Sequence, residues 1–232
     1  VAGLVNKMTY IIASSPKLRR PEDLNGKRIG VSAIGTSSHH VVLLSLKHWG
    51  LEPRRDRITF LSTGDQASRL AALESGATDA TILNPGFAAT VKAKGYYVLA
   101  DLAELGIPYS IGVLATTDRF IKLHPKAVDG VLKAIVTANA FILNAANKER
   151  TKSILAKYLR LGSMEDAEEH YRAALQITEK KPYVNPAGIA AIIEFIGERD
   201  QQVARLRPEK VIDTGPLKKL EEEAFIEKLY RR

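Results

Sequence analysis

The chain of 232 residues has no cysteine. That absence excludes disulfides, thiolate metal sites and thiol nucleophiles, and it suits an oxidising compartment as well as a reducing one. Aromatic residues are scarce, at 6% with a single tryptophan, and they do not interleave with basic residues as they do on surfaces that stack single-stranded nucleic acid. No apolar run reaches the length of a membrane-spanning helix. The opening residues, VAGLVNKMTYIIASS, lack the basic segment, long apolar stretch and small-residue cleavage site of a secretory signal. Two expectations stay open on that point: a cytoplasmic protein, or one whose targeting segment lies outside this sequence.

What is present is a globular composition, 45% hydrophobic, with 34 lysines and arginines against 26 acidic residues. The formal charge of +8 is spread thinly, and its densest groups (KLRR, PRRDR, LYRR) are short. The expectation is therefore a solvated basic surface with mild attraction for anionic solutes or membranes, and no nucleic-acid partner.

Apolar stretches at Met8 to Ala13, Arg28 to Ser32, Ile58 to Leu61 and Thr78 to Leu83 read as strands. Helical patterns at Ser37 to Trp49 and Gln66 to Ser75 separate the last three, which predicts a parallel sheet with helices on its faces. A helix over Phe87 to Lys94 leads to a further strand in YYVLADL. After the β-rich IPYSIGVLATTDRF the pattern turns helical, with Val128, Val131, Leu132, Ile135 and Ile142 at three- and four-residue spacing from Pro125 onward. Further helices are expected over Thr151 to Leu159, Met164 to Thr178 and Asn185 to Arg205, with one more in GPLKKLEEEAFIEKLY. The fold class is α/β. MTYIIASSP enters the central α/β unit and YSIGVLATT leaves it, so two crossing strands would form a hinge.

GKRIGVSAIGTSSHH is a strand, a glycine loop and a helix start. The first amides of a helix have no intrahelical partners and, with the helix dipole, favour an anion in front of them. Gly35 lets the backbone approach closely; Thr36, Ser37 and Ser38 either cap the helix or offer hydroxyls to a ligand. The position at the carboxyl end of a parallel strand suits a ligand. Neither a P-loop nor a G-x-G-x-x-G pattern is present. His39 and His40 are consecutive and point about 100° apart on a helix, so they cannot share a metal. No G-x-S-x-G elbow accompanies the serines, and no catalytic residue, metal site or cofactor is expected in this stretch. Gly64, Asp65 and Gln66 occupy a second strand-to-helix junction, with Asp65 as its N-cap, and Asn84, Pro85 and Gly86 a third. Trp49, at the far end of the first helix, is expected in the core.

The runs EDLNGKRIGVSAIGTSSHH and GDQASRLAALESGATDATILNPGFAATVKAKGYYVLADLAELGIPYSIGVLATTDRFIKLHP resemble the solute-binding proteins of nitrate/sulfonate/taurine-type ABC transporters. The telling pieces are P-x-D-L-x-G-K-R-I-G-V followed by G-[ST]-S, then RLAALxxGxxDA and ATTxRFIKxHP. The resemblance implies a periplasmic-binding-protein fold of the second type: two α/β lobes joined by two crossing strands, a solute held between them, and delivery to a membrane permease outside the cytoplasm. Lobe two is expected over residues 18–108, and lobe one over 1–17 and 109–232. Gly35, Thr36, Ser37 and Ser38, with Asn84 and Pro85, would line the cleft on the lobe-two side. Tyr109 and Ser110, at the return crossing, are either ligand contacts or hinge packing. The family carries further strands ahead of VAGLVNKMTY, so lobe one is expected to be incomplete, and the chain either to recruit a partner that covers it or to bind solute poorly. Two other readings compete: the ligand-sensing domain of a transcription regulator, and an enzyme like the pyrimidine synthase of thiamine biosynthesis, whose cysteine-rich motif has no counterpart in this chain.

Overall fold

The computed structural model describes residues 1–159, 161 and 163–231. The chain divides into two compact units, one formed by Met8–Ile107 and the other by Val1–Lys7 together with Pro108–Arg232. The N-terminal strand β1 (Ala2–Lys7) belongs to the second.

The first unit is built on β2 (Ile11–Ser14), β3 (Arg28–Val31), β4 (Thr59–Ser62), β5 (Ala80–Leu83) and β6 (Tyr97–Asp101), in the order β4-β3-β5-β2-β6. β3 runs parallel to β4 and β5, as the alternation of strands and helices predicts. β2 runs antiparallel to both of its neighbours, so the sheet is mixed rather than parallel. All four residues of β2 are buried, and the strand lies inside this sheet, although the sequence pattern suggests a hinge strand. Between the strands come α1 (Ser37–His48), α2 (Gln66–Glu74) and α3 (Ala88–Ala93). Leu70 and Leu73 of α2 pack with Ile11, Ala13, Leu83 and Val91. Trp49 departs from expectation: it is half-buried at the C-terminal end of α1, where Val41, Val42 and Leu46 form the buried stripe.

In the second unit β1 pairs antiparallel with β7 (Pro108–Leu114). Helices follow: α4 (Asp118–Leu123), α5 (Pro125–Leu143), α6 (Lys148–Leu159), α7 (Met164–Ile177), α8 (Pro186–Gly197), α9 (Gln201–Ala204), α10 (Pro208–Val211), α11 (Gly215–Glu222) and α12 (Phe225–Leu229). Three sequence expectations need correction. TTDRF starts a helix, because the Thr117 hydroxyl accepts the Phe120 amide at 3.1 Å. The helix expected over Asn185 to Arg205 is two helices: Asp200 accepts the amides of Gln202 and Val203, restarting the chain as α9. The single tail helix is α11 and α12, broken at Ala224 with φ 54°. On α5 the buried residues are Val128, Leu132, Val136 and Ala140, an i, i+4 series, whereas Val131 is 47% exposed. Val128, Leu132 and Val136 pack with Ala2, Leu217, Leu220 and Ile226. Among the described residues no single helix is long and apolar enough to cross a membrane.

Candidate functional site

The carboxyl ends of β4, β3 and β5 lie side by side in the first unit, and the loops after them are tied together by hydrogen bonds. Past β3, the Ser32 amide donates to Ser38 Oγ at 2.9 Å, and the hydroxyls of Ser32, Thr36 and Ser38 lie 2.8 to 3.0 Å from one another. Thr36 stands at the N-cap of α1, but its hydroxyl donates to the Ala33 carbonyl at 2.7 Å rather than capping an amide. Gly35 sits at φ 90°, a left-handed conformation closed to ordinary side chains. Its amide donates to His39 Nδ1 at 3.2 Å, and the His39 ring meets Phe60 edge to face at 4.5 Å. His40 is also buried, and desolvation, with a smaller contribution from His39, lowers its pKa to about 4.

The loop after β4 is stitched to the first one: Gly64 N–H donates to the Ser32 carbonyl at 3.1 Å and Ile34 N–H to Ser62 Oγ at 3.2 Å. Asp65 caps α2, accepting the Ser68 amide at 2.8 Å, and this hydrogen bond holds its carboxyl below the usual carboxylate range. Gln66 Oε1 accepts the Asn84 amide at 3.0 Å, which links the loops after β4 and β5. Pro85 follows as the first residue of a short 3-10 turn.

The structure separates the residues expected from sequence into groups. Gly35, Ser37 and Asn84 are exposed on this edge, Thr36 and Pro85 are half-buried, and Ser38 is buried within the hydroxyl cluster. Tyr109 and Ser110 belong to β7 in the other unit and are buried there. Ser110 Oγ donates to Asn6 Oδ1 at 3.2 Å, inside a network in which Asn6 also bonds the Tyr183 carbonyl and the Asn185 amide.

Two residues at the edge escape sequence reasoning. Tyr10 precedes Ile11, which pairs with Leu83, so Tyr10 falls opposite Asn84. Its position follows from the antiparallel run of β2, which no local pattern announces. Arg69 lies on the buried face of α2 and donates from a terminal guanidinium nitrogen to the Gly64 carbonyl at 2.9 Å. The signal for it was its place four residues before Leu73, on the stripe that the helix buries. Among the described residues no group of three or more His, Asp or Glu side chains is arranged to hold a metal ion.

A family model described as NMT1/THI5 like matches residues 1–148. The chain belongs to the NMT1/THI5-like family. The matched span includes every loop of this carboxyl edge. The taurine-binding periplasmic protein of Escherichia coli strain K12 is 29% identical over 157 residues, covering 65% of this chain and 47% of its own length. The chain spans under half the length of the curated relatives it matches. The crystal structure of the periplasmic aliphatic sulphonate binding protein SsuA from Escherichia coli is similar with a TM-score of 0.65 at 20% identity, over 91% of this chain and 68% of that one. The desulfurization enzyme DSZB is similar with a TM-score of 0.58 at 14% identity, over 96% of this chain and 78% of that one. These likenesses establish the fold, that of periplasmic binding proteins, which belongs to a binding protein in one neighbour and to an enzyme in another.

Proposed function

We propose that the chain is the solute-binding component of an ABC importer, working outside the cytoplasm and taking a small anionic or heteroaromatic solute at the carboxyl edge of the five-stranded sheet for delivery to a membrane permease. The observation that carries this reading is the construction of the edge. Three adjacent strand ends present exposed Gly35, Ser37, Gly64 and Asn84, and the loops are braced by hydrogen bonds that commit the amides of Gly35, Gly64 and Asn84 while those residues stay exposed. Exposed Ser37 opens the 12-residue α1, and the unpaired first amides and dipole of a helix favour an anionic oxygen in front of them. In this reading Gly35, Ser37 and Asn84 touch solute, Thr36, Ser38 and Pro85 hold the loops, and Tyr109 and Ser110 brace the second unit.

Binding rather than catalysis is supported by the commitments of the polar groups. The hydroxyls of Ser32, Thr36 and Ser38 bond one another, and His39 Nδ1 is occupied by the Gly35 amide. A nucleophile at this loop would need a nearby imidazole nitrogen available to take its proton.

Thermal unfolding in the presence of taurine, ethanesulfonate and nitrate tests the reading, since a ligand that binds only the folded state raises the midpoint with its concentration. At least one of these anions is expected to raise the midpoint of the wild type, and Ser37→Trp is expected to remove that rise while leaving the ligand-free midpoint in place. No rise with any of them, or an undiminished rise in Ser37→Trp, would contradict the assignment.

A further inference from the structure

Arg69 is 4% exposed, its Nε is buried, and among the described residues that nitrogen has no hydrogen-bond partner. The side chain makes one described hydrogen bond, to the Gly64 carbonyl. No carboxylate lies within ion-pair distance of it among the described residues. Its charged neighbour Asp65 is exposed and turned to the Ser68 amide. Burial accordingly draws the basicity of Arg69 below the usual guanidinium range. A guanidinium removed from water without an anionic partner is costly. Packing therefore gives no reason for the charge at this position.

The position does give one. The Gly64 carbonyl that Arg69 binds belongs to the exposed loop at the carboxyl edge of the sheet. In a trans peptide the N–H of the next residue points opposite to the carbonyl. The Asp65 amide is thus aimed away from Arg69, and among the described residues it has no acceptor. A cation bound to the carbonyl end of that peptide polarises it and strengthens the donor at the other end. Water screens little of the field from a buried charge.

We propose that Arg69 is a positioning residue that makes this edge select anionic over neutral solutes, acting through the Gly64–Asp65 peptide and through its own unpaired charge. The inference rests on the solute-binding reading above and narrows it to anions. Arg69 lies beneath the loop, and the solute meets the amides that it polarises.

The test compares ethanesulfonate with dimethyl sulfone, a small neutral molecule bearing the same sulfonyl oxygens, by NMR titration of the wild type, Arg69→Lys and Arg69→Met. The wild type is expected to prefer ethanesulfonate. Arg69→Met is expected to lose about tenfold or more of that preference, and Arg69→Lys to keep most of it. If Arg69→Met does not fold, Arg69→Gln takes its place, because it can still donate to the Gly64 carbonyl but carries no charge; the same loss of preference is expected. A substituted protein that weakens both probes equally would make Arg69 purely structural and overturn the proposal. So would an unchanged preference in Arg69→Met or Arg69→Gln, in which case the solute-binding reading survives. A wild type that binds neither probe would overturn this inference, and the solute-binding reading would then be decided by the taurine and nitrate arms above.

Discussion

The Gly35 amide donates to Nδ1 of His39 across 3.2 Å, so a side chain one turn into α1 holds the glycine loop that precedes the helix. An imidazole nitrogen accepts only when it carries no proton. Nδ1 of His39 is therefore the acceptor that fixes the loop, and beside it His40 is buried with its pKa lowered to about 4, chiefly by desolvation.

Stability should consequently depend on pH through His40. Its folded pKa is depressed from the ordinary 6.5 to about 4, so between those values the unfolded state binds a proton that the folded state does not. This contribution to stability is fully present above pH 6.5 and is lost as pH falls toward 4, with a slope of at most about 1.4 kcal/mol per pH unit. Urea unfolding midpoints measured across that range should fall less steeply for His40→Gln than for the wild type. Parallel curves would show that His40 does not carry the effect.

A Cβ added to Gly188 would lie 2.7 Å from the Ser110 amide nitrogen. At this point α8 rests on the backbone of Tyr109 and Ser110 in β7 as well as on Ser110 Oγ, so moving a side chain aside does not relieve the contact. Gly188→Ala should cost about 1 to 3 kcal/mol by overpacking, read from urea unfolding. An effect close to zero would mean that α8 shifts freely on the strand, and the Asn6, Ser110 and Asn185 network would then have to tolerate the shift.

On α5, Leu132 is fully buried and Val131 is 47% exposed. Leu132→Ala should destabilise the protein by about 2 to 5 kcal/mol, while Val131→Ala should stay within about 0.5 kcal/mol of the wild type. Chemical denaturation of the pair tests which face of the helix meets the core. Equal losses would contradict a helix that turns Leu132 inward and Val131 toward solvent.

The parts of the fold legible in the sequence are those with a local cause. β3, α1, β4, α2 and β5 announce themselves by apolar periodicity and by loop chemistry, and Asp65 is recognisable as an N-cap from its place before an amphipathic run. β2 is legible as a strand but not as an antiparallel member of the sheet, since its neighbours β5 and β6 lie more than 60 residues further along the chain. The same distance hides Tyr10, whose place opposite Asn84 exists only once that pairing forms. The break between α8 and α9 depends on one aspartate preferring the two amides ahead of it to the interior of a helix, a choice that helical periodicity does not register. At the site, Gly35 and the hydroxyl residues are visible as a loop. Which hydroxyls turn inward is settled by their bonds to Ser32 across the loop.

The claim that the carboxyl edge of the five-stranded sheet receives a solute is tested most directly by backbone amide NMR of the chain titrated with ethanesulfonate, which detects weak as well as tight binding. Saturable shifts are expected to concentrate at Gly35 to Ser38, Gly64 to Gln66 and Asn84, with residues of β7 such as Ser110 little affected. Saturable shifts centred on the second unit, or no shifts at the edge up to the solubility of the probe, would contradict the claim.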